Sequence, residues 1–213
     1  MENPSNVFVQ WRNSLMRFHD WFEGLRSNTR NFHLKIFVFF VVINLGCFWW
    51  ALLTTYPNLL IGPKAREYVL IGFPVSFLGA LFDSLSLLVT IYIVKRALSS
   101  TSNLGFLGYL SVDLVIAVLA TFWVLFAFLV SGWVVSLVLA IPETFESRTV
   151  LYQGRLLSII NDPFGADNLK NMYFGVIMGA SALLPTLFHL FLAGKSLVRS
   201  VAGRVGIAPD QRR

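Results

Sequence analysis

Long stretches without a charged side chain constrain this sequence more than any other feature. No Asp, Glu, Lys or Arg occurs from Ile36 to Pro63, from Tyr68 to Phe82, from Ser84 to Val94, from Leu114 to Pro142, or from Asn171 to Gly194. A bilayer core about 30 Å thick is crossed by about 20 apolar residues rising 1.5 Å each. Trimmed of their polar ends, the runs predict helices near 36–54, 69–94, 110–141 and 172–194. The second is one span interrupted by Asp83, because neither half alone is long enough to cross. The third is over-long, and tilt or an interfacial overhang is expected rather than an extra crossing.

Composition points the same way. Of 213 residues 56% are hydrophobic and only 13% charged, against about 25% charged in soluble domains. That balance excludes a disordered chain and argues against an ordinary cytosolic enzyme. A single cysteine, Cys47, excludes a disulfide scaffold. The expected fold class is all-α: a polytopic membrane protein with four transmembrane helices in a bundle, plus an N-terminal amphipathic interfacial helix. A basic N-terminal segment with Arg12, Arg17, Arg26, Arg30 and Lys35 precedes the first span, which is therefore expected to remain as an anchor and not to be cleaved as a secretory signal.

Basic residues in the short loops set the expected orientation. Twelve lie in the N-terminal segment, the 95–109 loop and the tail; five lie in the first loop and in the 143–171 loop. Both termini are thus expected in the cytoplasm of a bacterial plasma (inner) membrane, with 143–171 outside. The net charge of +6 then belongs beside anionic headgroups, and no nucleic-acid partner is expected. The chain divides into a cytoplasmic amphipathic helix at 1–32, a membrane domain at 33–198 and a basic tail at 199–213.

In the first segment Phe8, Trp11, Leu15, Phe18, Phe22 and Leu25 recur at intervals of three and four, the spacing of one helical face. Asn3 and Pro4 supply first-turn chemistry. An aromatic face flanked by arginines suits a helix lying among headgroups; the same intervals also form a heptad seam for a partner helix. In the outer loop, apolar residues between Val150 and Ile160 predict a short helix near 148–160, followed by a turn at Asn161–Gly165.

Polar side chains within the spans are the candidates for function, because an aspartate at a helix centre costs about 2.5–3.5 kcal/mol on insertion scales. Asp83 falls near the middle of the second span, Asp113 near the cytoplasmic start of the third, and His189 about two-thirds along the fourth. At about 100° per residue, Ser86, Thr90, Gly72 and Gly79 share the face of Asp83, while Thr186 and Gly175 share that of His189. Asn44 lies on a small-residue stripe of the first span. Gly72, Gly79, Gly175 and Gly179 are the candidate helix-packing positions, the last two matching the small-xxx-small pattern. Asp83, His189, Asp113, Asn44, Ser86 and Thr90 form the candidate intramembrane polar site, serving either packing or a proton or ion path.

The sequence carries no H-E-x-x-H, Walker loop, G-x-S-x-G or paired-cysteine pattern. No catalytic residue, cofactor or metal is therefore expected. The leading expectation is a non-enzymatic subunit that assembles with itself or with other membrane subunits. The alternative is a small ion- or proton-conducting protein using Asp83 at mid-membrane.

Overall fold

The computed structural model describes residues 5–142 and 144–205. Asn3, Pro4, Glu143 and the end of the basic tail at 206–213 lie outside the described residues. Among the described residues the chain is helical throughout, with no strand: α1 Ser5–Asn28, α2 Phe32–Thr55, α3 Ala65–Ser99, α4 Asn103–Thr121, α5 Trp123–Val138, α6 Phe145–Asn161 and α7 Ala166–Val205. A 3₁₀ turn, Pro57–Leu60, lies between α2 and α3. Segments Phe32–Thr55, Ala65–Ser99, Asn103–Ala120 and Ala166–Lys195 are long and apolar enough to cross a membrane. The chain has multi-pass membrane character.

Helices α3 and α7 extend past their charge-free windows at both ends, and α2 and α4 at the N-terminal end. The window marks the length of hydrocarbon; the backbone keeps its ladder until a cap or a left-handed residue ends it. Asn31, at φ 56°, ends the α1–α2 turn in the left-handed region, which asparagine tolerates better than most residues. Thr144 caps α6: its side chain accepts from the Ser147 amide while Ser147 Oγ accepts from the Thr144 amide. That reciprocal pair starts α6 three residues before the sequence-based boundary of 148.

The expected helix at 110–141 is two helices. At Phe122 the amide bonds the Leu119 carbonyl, three residues back, at 3.1 Å. One tightened turn of this kind interrupts the four-residue ladder. Phe82 stacks on Trp123, the first residue after the break, with centroids 4.2 Å apart and planes at 19°. Packing of an aromatic pair, not a proline or glycine, accompanies the division.

Two compact units divide the chain, and each has its own core. In the unit made of His33–Ser86 and Ile116–Leu183, Phe48, Ala51, Leu52, Ile71, Val75, Val135 and Met178 are buried together. Phe48 is the centre of an aromatic group with Phe128 and Phe174. Gly72 makes room for it, since a Cβ there would lie 2.7 Å from the Phe48 ring. Helix α6 packs on α5 through Trp133 and Phe145, edge to face at 5.7 Å.

In the unit made of residues 1–32, 87–115 and 184–213, Leu15 of α1 is fully buried with Val94, Ala97, Phe106 and Leu110. Trp11 meets Phe106 edge to face at 5.1 Å, Phe18 meets Phe188 at 4.5 Å, and Phe22 meets Phe32 at 5.3 Å. The apolar seam of α1 thus packs largely on the chain itself. Leu25, at its end, is 40% exposed, and Trp21 beside the seam is 60% exposed.

Helix α5 ends with Ala140 at φ 53°. The Ile141 amide bonds the Ser136 carbonyl five residues back, the closure that normally places glycine in the left-handed position. An alanine there costs about 1–2 kcal/mol relative to the right-handed region. Ala140→Gly is expected to stabilise the fold by about 1 kcal/mol, read as a raised thermal midpoint of the detergent-solubilised protein; an unchanged or lowered midpoint contradicts this.

Candidate functional site in the buried polar clusters

The intramembrane polar residues separate into two clusters, one in each unit. In the unit containing α2, Asn44 is the hub of the first. Its amide nitrogen donates to the Phe40 carbonyl at 2.9 Å and to Asp83 Oδ2 at 2.6 Å. Its amide oxygen accepts from Ser181 Oγ at 3.3 Å. Both Asn44 and Asp83 are 2% exposed. Gly79 lies where a Cβ would collide with the Asn44 amide, so only glycine permits this approach. A cavity of about 20 Å³ lined by Asn44, Gly79, Asp83, Gly179 and Ser181 adjoins the cluster, large enough for one water.

The second cluster joins α4 to α7. Thr186 donates to Asp113 Oδ2 at 2.8 Å, and His189 Nδ1 lies 3.6 Å from the same oxygen. Asp113 and His189 are each 1% exposed, and Thr186 is fully buried. Neither ring nitrogen of His189, nor Asp113 Oδ1, has a hydrogen-bond partner among the described residues. Trp11 of α1 donates its indole N–H to the His189 carbonyl at 3.2 Å. A cavity of about 30 Å³ is lined by His189, Thr90, Pro185 and His19. At 3.6 Å the carboxylate and the imidazole are beyond hydrogen-bond distance, and moving a proton between them requires a bridging water, for which the adjoining cavity has room.

The candidate residues fall into specific pairs. Asp83 meets Asn44; His189 meets Asp113. Ser86 is buried but directs its hydroxyl to the Ala182 carbonyl at 3.5 Å, and Thr90 lines the His189 cavity. Gly72 and Gly79 are close-approach positions, and Gly179 is buried in the wall of the smaller cavity. Gly175 is different: nothing lies within 4 Å of where its Cβ would be. Along α1, Trp11, Leu15, Phe18 and Phe22 make the contacts already described, and Phe8 packs beside Leu15's cluster.

A third polar group escaped the sequence. Arg148 of α6 is 7% exposed. Its guanidinium forms an ion pair with Glu67 of α3 at 2.8 Å and donates to Ser136 Oγ of α5 at 2.6 Å. Gly132 gives it space, because a Cβ there would overlap the guanidinium. Arg148 had been counted only as a loop charge. The available signal was the i, i+4 pair of Gly132 and Ser136 on an otherwise bulky helix, a small notch with a polar floor. A buried ion pair broken on one side costs about 3–5 kcal/mol, so this contact ties α6 firmly to α3 and α5.

Asn44→Leu is expected to destabilise the protein by about 1–3 kcal/mol, because it leaves the Asp83 carboxyl buried without its amide donor. Adding Asp83→Leu should recover much of that loss, since removing both partners leaves nothing unsatisfied. Unfolding midpoints in a denaturing-detergent titration check the pair; a double variant weaker than Asn44→Leu alone contradicts it.

No family model, curated protein or solved structure matches this chain, so its chemistry has to be argued from these residues.

Proposed function

We propose that this protein is a non-enzymatic integral membrane component of the bacterial plasma membrane that assembles with copies of itself or with other membrane subunits. The observation that carries the reading is the inward closure of its polar groups. Asp83 is engaged by Asn44, and Asp113 by Thr186. The side chains left outside are apolar, among them Val38, Phe39 and Val42 of α2, and Phe73, Phe77 and Leu81 of α3. Such surfaces suit lipid or the apolar face of another span, where close packing drives association.

The long helices form a four-span bundle in this reading, with both termini cytoplasmic, as the excess of loop arginines and lysines there favours. Helix α1 lies along the cytoplasmic headgroups. Its seam is seated on the protein, so its lipid contact falls to the exposed edge of Trp21 and Leu25. Arg17, Arg30 and Lys35, all exposed, supply charge for anionic headgroups.

A second reading, proton or cation conduction, is favoured by one observation: the unpartnered nitrogens of buried His189 beside Asp113. Intramembrane ionisable groups frequently mark such paths.

Proteoliposome flux separates the two. Assembly predicts no proton or cation flux that depends on Asp83 or Asp113, together with discrete higher-mass species on cross-linking in native membranes. A flux abolished by Asp113→Asn or Asp83→Asn reverses the ranking. For orientation, Gly154 faces open space on α6; in a Cys47→Ala background, Gly154→Cys should react with an impermeant maleimide from outside the cell. Labelling only after lysis overturns the assigned sidedness.

A further inference from the structure

A cavity in the unit containing α6 has no part in either polar cluster. It has a volume of about 490 Å³, within the range of about 300–1,000 Å³ typical of small-molecule sites. Its lining is mixed, with Phe48, Leu52, Phe128 and Phe174 among its apolar residues. Glu67, Arg148, Arg155 and Asp167 are its charged residues. A mostly apolar lining that carries a few charged groups suits an amphipathic molecule, a hydrocarbon body with one polar end.

The sign of that polar end follows from how the charges are already used. Glu67 and Arg148 neutralise one another at 2.8 Å. Asp167 is 94% exposed and stands 3.9 Å from Lys170, so water and a cation already serve it. Arg155, also exposed, has no carboxylate within 4 Å among the described residues; its guanidinium lies 5.8 Å from the centroid of the Tyr152 ring on its own helix. The charge in the wall without a counter-ion is therefore positive. Tyr56 registers it: burial raises the phenol above its ordinary value, and the Arg155 charge pulls against that rise. The Tyr56 hydroxyl donates to Asn171 Oδ1 at 2.8 Å, which fixes both lining residues without using Arg155.

We propose that this cavity binds a single-tailed amphipath bearing one carboxylate or phosphate, its tail against Phe48, Phe128 and Phe174 and its anionic end at Arg155. Arginine suits that end because its planar fork matches either anion in a bidentate way. Gly175 lies on the same wall with open space beyond its α-carbon, so the tail can run close along α7.

The test uses the full chain in nanodiscs of neutral phosphatidylcholine. A twelve-carbon carboxylate bearing a diazirine is photolysed in place, and the labelled peptides are mapped. Labelling should concentrate in residues 145–175 and in the peptides that carry Phe48 and Phe128, and be competed by laurate and by dodecyl phosphate, but weakly by dodecanol. Gly175→Leu fills the cavity and should cut labelling at least about tenfold. Arg155→Gln should lower labelling by the carboxylate up to about fivefold, the scale of an exposed ion pair, and leave labelling by the matching alcohol unchanged. If Gly175→Leu is poorly folded, Leu156→Trp, from the opposite wall, serves as the filling variant. Competition by lysophosphatidic acid, a single-tailed membrane lipid, placed in the disc would identify a bilayer lipid as the source; competition by soluble amphipaths alone would identify a ligand arriving from water. Label spread evenly over exposed α2 residues, or labelling indifferent to both filling variants, overturns the proposal.

Discussion

Everything in this protein's interior answers to one constraint: a carboxylate taken out of water must find a donor inside the protein. At the centre of a span an aspartate costs about 2.5–3.5 kcal/mol on insertion scales, and a hydrogen bond to a charged group returns about 1.5–3 kcal/mol. The two figures are of the same size. Asn44, held by the Phe40 carbonyl on one side and by Ser181 on the other, presents its N–H to Asp83 in a fixed direction. A freely rotating donor would recover less, because ordering it would cost entropy at the moment of contact.

The small residues follow from the same requirement. Gly79 is needed where the Asn44 amide lies against α3, and Gly132 where the Arg148 guanidinium lies against α5. In each case a missing side chain on one helix makes room for a polar head from another. Gly72 does the equivalent for the Phe48 ring. Glycine costs roughly 0.5–1 kcal/mol in a helix interior relative to alanine, a cost that these contacts offset.

Much of the architecture was legible in the sequence, because span length and loop charge are written residue by residue. Helical character, the four long apolar helices and the buried faces of Asp83, Asp113 and His189 all follow from periodicity and from where charge stops. Pairing was not legible. A helical wheel gives the direction a residue faces on its own helix but not which helix lies opposite, so Asn44 and Asp83 appeared as separate stripes. Ser181 lies about 80° from His189 at 100° per residue and so fell outside the face drawn around it. The division at Phe122 has no proline or glycine to announce it and accompanies tertiary packing. Arg148 was hidden for a different reason: a cation in a polar connector is ordinarily solvated, and only the Gly132–Ser136 notch marked an exception.

The seat of α1 has a consequence for how the protein is made. Trp11 hydrogen-bonds a carbonyl 178 residues further along the chain, and Leu15 and Phe18 rest on residues from α3, α4 and α7. Helix α1, synthesised before α7, therefore has no finished berth until α7 is in place. Through that interval its aromatic seam is uncovered beside the translocation machinery, and the lipid surface or a chaperone has to shelter it. Docking of α1 accordingly waits on α7, and a stalled or truncated chain lacking α7 would leave this segment exposed to proteolysis.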